Sequence, residues 1–273
     1  MALPSFMSVY VKASRAASGG SGNGSEDRIA ITFGTAFVVS FHGLDYLITN
    51  RHIVTGRDRL EDKPIGSAAL PEVLEVDLPI SGTPEGEDGL ALIGTRTRVV
   101  HLYDSDGYAR WLVHPQLERR VDVVAIPLSE SLSVSPGAFP VSLMPYELGT
   151  DDPSPSLQPA DEVSIVGFPE RLRGGARSAI WVRGTIASEP SLPFEGEPCF
   201  LVDARTRGGQ SGSPVIRRSD SYVDGVPDGS SSWNLIGVYA GRTSRDSDLG
   251  RIWKWSTLKA ILEGNHLEQL KYE

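Results

Sequence analysis

The sequence holds a single cysteine, Cys199, among 273 residues. No intrachain disulfide can form, so a small secreted fold stapled by disulfides is excluded and the reducing cytoplasm is the simpler location. Positive charge is also in deficit, since 26 Lys and Arg face 35 Asp and Glu for a net charge of −9. Binding to phosphates or anionic lipids needs a basic face, so neither nucleic acid nor a membrane surface is an expected partner. No apolar run approaches the roughly 18 residues needed to cross a bilayer. The opening residues 1–11, MALPSFMSVYV, do not form a convincing secretory leader: Pro4, Ser5 and Ser8 interrupt the apolar stretch, and Lys12 and Arg15 follow it. This acid-poor, Ser-containing start leaves an organelle transit peptide as the alternative. With 40% hydrophobic residues the chain is too apolar for disorder, and it shows no internal repeat.

What is present is a series of short apolar runs punctuated by 29 Gly and 19 Pro. The runs at 29–40, 46–49, 99–102, 121–126, 163–168, 180–187, 200–203, 214–216 and 235–239 are rich in Val, Ile, Phe and Thr, which suits strands. The pattern predicts an all-β chain, either barrel or sandwich. Gly19 to Ser25 reads as a flexible linker, which makes residues 1–27 a loose tail or an early strand laid over the main body. A polar Pro- and Ser-rich stretch within 147–160 reads as a connector between two similar halves, 28–146 and 161–273. The one strong helical pattern comes late, with Ser256 or Thr257 as cap, Leu258, Ile261 and Leu262 on one face, and Gly264 as stop. Residues 57–95, carrying Glu72, Glu75, Asp77, Glu85, Glu87 and Asp88, read as an acidic surface excursion.

Three places have the residue types for nucleophilic chemistry. His52 follows the apolar run Tyr46-Leu-Ile-Thr, where rigid backbone could aim an imidazole into a cleft. Asp122 sits within Val121–Ile126, where a carboxylate either faces outward on an alternating strand or is buried and requires donors. Asp104 and Asp106 are its rivals, in a stretch of turn composition. In Arg207-Gly-Gly-Gln-Ser211-Gly-Ser-Pro214, a serine between glycines can expose its hydroxyl, and the N–H groups of Gly209 and Ser211 could converge on one point. Ser213 is the competing nucleophile, but Pro214 marks it as the start of the next strand.

Together these residues resemble the chymotrypsin-like serine peptidases, whose order along the chain is His, Asp, Ser, as in His52, Asp122 and Ser211. Gly34-Thr-Ala-Phe37, Ile236-Gly-Val-Tyr-Ala-Gly241 and Gly250-Arg-Ile-Trp253 extend the resemblance over roughly 28–264. It implies two antiparallel six-stranded β-barrels and a C-terminal helix, with the site in the cleft between barrels. It further implies Ser211 as nucleophile, His52 as base, Asp122 as its orienter, and an oxyanion hole at Gly209 and Ser211. The substrate would be a protein or peptide, with no metal or organic cofactor. A catalytically silent peptide-binding module of the same fold is the alternative.

Two positions depart from the secreted members of that family. Gln210 stands where they carry an aspartate that pairs with a newly cut N-terminus, so activation by such cleavage is not expected; a partner or ligand could regulate instead. Arg205 stands where the resemblance puts the floor of the specificity pocket, with Thr206 beside it, Tyr239 and Ala240 on the wall and Gly241 and Gly250 at the mouth. A buried Arg205 would select an acidic side chain; the alternative turns it outward. The loop 171–177 carries three arginines that either steer acidic substrates or are solvated. Trp181, Trp233, Trp253 and Trp255 read as packing residues, and Cys199 as a small buried hydrophobe.

Overall fold

The computed structural model describes residues 3–17, 28–65, 69–82, 91–128, 141–149, 152, 156–223, 226–244 and 246–272. Strands are the dominant element, divided between a large sheet and a closed barrel. The sheet holds β1 (Ser8–Ala16), β2 (Arg28–Phe41), β3 (Leu44–Thr49), β4 (Val73–Gly82), β5 (Ala91–His101), β6 (Leu112–Val113), β7 (Val124–Pro127), β8 (Tyr146–Glu147) and β15 (His266–Leu267). Its order is β15-β6-β7-β3-β2-β1-β4-β5, with β8 added parallel to β2. The barrel holds β9 (Glu162–Gly167), β10 (Ile180–Ile186), β11 (Cys199–Ala204), β12 (Pro214–Val223), β13 (Val226–Arg242) and β14 (Leu249–Lys254). It closes in the order β10-β11-β14-β13-β12-β9. This is the chymotrypsin-like architecture: the second half closes with six strands as expected, whereas in place of a six-stranded first barrel stands a nine-stranded sheet, several of its strands very short and one, β15, supplied by the C-terminal end.

Closure removes the free edges of the barrel and lets Val163, Ile165, Phe200, Val202, Val215 and Ile252 point into one core. A second core fills the sheet. A third joins the halves, where Phe37 and Ile48 share a cluster with Phe168, Trp253 and the helix α3 (Trp255–Gly264). The tryptophans pack as expected: Trp253 and Trp255 are buried, and Trp181 meets Trp233 edge-on with ring centroids 4.9 Å apart. α3 begins at Trp255 with Lys254 at the cap position, two residues earlier than a Ser256 cap would give. Thr257 Oγ1 bonds the Pro198 carbonyl instead of capping, and Asn265, with φ 46°, takes the left-handed exit assigned to Gly264. The last residues then return to the sheet, where β15 pairs with β6.

Two expectations about the first half are settled by the pairing. Of the loose tail and the early strand, residues 8–16 take the second, because β1 lies inside the sheet, paired with β2 on one side and β4 on the other. Its alternation buries Val9, Val11 and Ala13, a period-two signal that the following Gly- and Ser-rich stretch overshadows. The acidic stretch 57–95 likewise contains β4 and the start of β5. Leu74, Val76 and Leu78 enter the core, while Glu75 pairs with Lys12 at 2.7 Å and Asp77 turns to arginines of the other half. Glu85, Glu87 and Asp88 lie outside the described residues.

Candidate active site

His52 stands in the first turn of α2 (Arg51–Thr55), the single helical turn into which β3 runs. Neighbours on both sides fix that turn. Asn50 Nδ2 donates to the Asp122 carbonyl at 2.6 Å. Arg51 is buried, and its Nε and Nη2 both donate to Glu268 Oε1, at 2.8 and 2.6 Å. Glu268 in turn accepts from Trp111 Nε1 at 2.5 Å, so the returning C-terminal segment braces the histidine's helix.

Asp122 precedes β7 in a stretch where 121–126 are all buried, so the outward-facing alternative fails. A buried carboxylate needs donors, and His52 provides two. Its backbone N–H donates to Asp122 Oδ1 at 2.9 Å, and its Nδ1 lies 2.7 Å from Oδ2. Burial alone would push the imidazole pKa down. The Asp122 charge, its hydrogen bond and, last, the charge of Asp58 oppose this, and the net shift is upward. Asp104 accepts N–H bonds from Asp106 and Tyr108 in its own turn, as its composition suggested.

Ser211 comes from the loop between β11 and β12 in the other half. The loop is shaped through its backbone. Gly209 and Gly212 have φ of 97° and 84°, and a Cβ on either would overlap a backbone carbonyl, that of Phe168 or Thr35 respectively. The Gly208 carbonyl accepts from Glu170 N at 2.6 Å, and the Gln210 carbonyl from Ser213 N at 2.9 Å. In a trans peptide the following N–H points the opposite way, so the N–H groups of Gly209 and Ser211 both face away from these anchors. Among the described residues neither donates to a partner. Gln210, buried, folds its Oε1 back onto Arg207 N at 2.9 Å and closes the loop on itself. Ser213 is fully buried and leaves the cleft to Ser211.

Thr35, on β2, ties this loop to the first half, a role no local signal announces. Its N–H donates to the Ser211 carbonyl at 2.8 Å, and its hydroxyl donates to the Gly209 carbonyl at 2.8 Å. The same hydroxyl accepts from Phe168 N at 3.1 Å, and the Thr35 carbonyl accepts from Thr49 Oγ1 at 2.8 Å. Four bonds therefore converge on one buried residue.

His52, Asp122, Gly209 and Ser211 line one cleft of about 750 Å³ together with Ala240 and Gly241. The other expected pocket residues are not brought there. Arg205 is exposed, so it is not a buried pocket floor. Alternation along β11 and beyond sends Asp203 and Arg205 outward and Ala204 and Thr206 inward. The arginine loop does not stand free either. Arg173 and Arg177 pair with Asp77 at 2.7 and 3.1 Å, and Arg171 lies 4.0 Å over the Phe33 ring. It clasps the two halves together. Cys199 is buried beside Arg251, and burial, only partly offset by that arginine, raises its pKa and keeps the thiol protonated.

No curated protein matches the sequence. Among solved structures, the Rv3671c protease of M. tuberculosis in its active form is 14% identical, over 97% of this chain and 83% of that one, with a TM-score of 0.47. A serine endoprotease from Yersinia pestis is also 14% identical, over 95% of this chain and 62% of that one, with a TM-score of 0.49. The model of the trypsin-like peptidase domain matches residues 34–226, well over half of the chain and the whole stretch from His52 through Asp122 to Ser211. The chain belongs to the trypsin-like serine peptidases.

Proposed function

We propose that the protein is a serine endopeptidase that cuts peptide bonds through an acyl-enzyme on Ser211. The observation that carries this reading is the double contact of Asp122 with His52, at 2.7 and 2.9 Å, in the cleft that also holds Ser211. With the Nδ1 proton committed to Asp122, Nε2 is the ring's acceptor. His52 then takes the Ser211 proton as Oγ attacks the scissile carbonyl, and later gives it to the leaving amine. Asp122 holds the tautomer and stabilises the imidazolium while remaining ionised. The N–H groups of Gly209 and Ser211 receive the developing oxyanion; removing one such donor typically costs about 10²–10³ in turnover. Water hydrolyses the acyl-enzyme by the same route in reverse.

No N-terminal cleavage is needed in this reading. The Gln210 side chain supports the loop from within through Arg207 N, where an activation ion pair would otherwise be required. We place the protein in the cytoplasm, where a chain with one buried thiol depends on no disulfide. A fluorophosphonate probe should label the full-length chain, and Ser211→Ala should abolish the labelling. Undiminished labelling of that variant would refute the assignment, and a wild-type chain that binds peptides without labelling would favour a silent binding module.

A further inference from the structure

The carbonyl attacked by Ser211 must approach to about 3–3.5 Å from Oγ. A Cβ on Gly241 would stand 3.9 Å from that oxygen, so the substrate residue owning the carbonyl passes along 240–242. The pocket that the resemblance implies beside that path would lie between this segment, 206–209 and the start of β14. Where those three segments meet, the protein places a side chain of its own barrel core. Tyr239 is 1% exposed, and its hydroxyl lies 2.5 Å from Oγ1 of Thr206, which is fully buried. Its ring lies against the backbone of Gly250, where a Cβ would overlap Cε2 and stand 3.3 Å from both Cζ and the hydroxyl oxygen. One ring thus touches all three bordering segments. The open cleft runs past this ring, along Gly208, Gly209, Ala240, Gly241 and Arg242 and over the outer face of β14 at Leu249 and Arg251, while Arg205, Thr206, Tyr239 and Gly250 do not line it.

We propose that Tyr239 is a built-in plug that restricts the residue before the scissile bond to a small side chain such as Gly, Ala or Ser. The inference rests on the peptidase reading and adds its substrate class. Burial, opposed by the Thr206 bond, pushes the Tyr239 hydroxyl up to about 12, so it remains neutral and fixed through the working pH range. A pocket discriminates a single methylene by roughly 10–200-fold, and a whole ring or isobutyl group meets a filled space.

The test is the rate at which peptidyl phosphonates label Ser211 in the full-length chain. The probes carry Ala, Leu, Phe, Glu or Arg at the reacting residue, with a fluorophosphonate lacking a side chain as reference. The expected result is that the Ala probe reacts about 100-fold faster than the Leu and Phe probes. Tyr239→Ala should shrink that ratio at least tenfold by gaining the larger probes, and Tyr239→Phe, which keeps the bulk, should preserve it. Equal rates for Ala, Leu and Phe in the wild type, a preference for Glu or Arg, or an unchanged ratio in Tyr239→Ala would overturn the plug. If Tyr239→Ala does not fold, the wild-type and Tyr239→Phe ratios still decide. Failure of every probe, the reference included, would instead overturn the peptidase reading beneath it.

Discussion

The two halves hold their chemical groups by different means. The first half grips His52 and Asp122 through side chains: a carboxylate on an imidazole, Asn50 on a carbonyl, and Arg51 on Glu268. The second half holds Ser211 through backbone: left-handed glycines, carbonyls anchored by distant N–H groups, and a loop closed on Arg207 N. Side-chain grips are specified by residue type and fail when one functional group is lost. Backbone grips are specified by absent Cβ atoms and by partners elsewhere in the chain. Thr35 stands at the seam and makes the two systems one, since it belongs to β2 yet bonds the carbonyls of both Gly209 and Ser211.

Breaking the side-chain grip should have the largest effect. Asp122→Asn preserves shape but removes the charge that fixes the Nδ1–H tautomer, and turnover should fall about 10⁴-fold with KM little changed. A loss below tenfold would mean that Asp122 does not orient the base. Cutting the seam should cost less. Thr35→Val leaves the Gly209 carbonyl and the Phe168 N–H without their hydroxyl partner, a penalty of about 1–3 kcal/mol in the loop. The expected reading is a fall in kcat of about 10–100-fold, borne by kcat and not KM, with rescue by Thr35→Ser. Equal loss in both parameters, or no rescue, would reduce Thr35 to ordinary packing.

The smallest effect is in pH dependence. Burial pushes the His52 pKa down, but the charge and hydrogen bond of Asp122 lift it further, so the net shift is upward. The neutral ring is the base, so activity should be lost on the acid side with a midpoint above the ordinary histidine value of about 6.5. In Asp122→Asn the lift is gone and the residual activity should show a lower midpoint. An unmoved midpoint would separate the two groups electrostatically.

How legible each part was in the sequence follows from the same division. That His52, Asp122 and Ser211 would line one cleft was legible because the resemblance rests on residue type and on their order along the chain. Arg205 was misplaced because its direction depends on the phase of β11, which a list of residue types does not fix. β1 and β4 were obscured by louder signals, a glycine- and serine-rich linker and a run of acids, although both keep a period-two apolar pattern. The clasp of Arg173 and Arg177 was hidden because its partner, Asp77, lies in the other half. Thr35 was visible only as part of Gly34-Thr-Ala-Phe37, since its bonds run to backbone atoms that only the fold brings near.

The central claim is that the side-chain grip of one half and the backbone grip of the other meet in a single acyl transfer. Acid-quenched mass spectrometry of the full-length chain mixed with an activated ester of a small amino acid tests it most directly. The account predicts one added acyl mass, mapped to Ser211, absent in Ser211→Ala and strongly slowed in His52→Ala. Turnover with no adduct at any quench time, or an adduct that persists in Ser211→Ala, would contradict it.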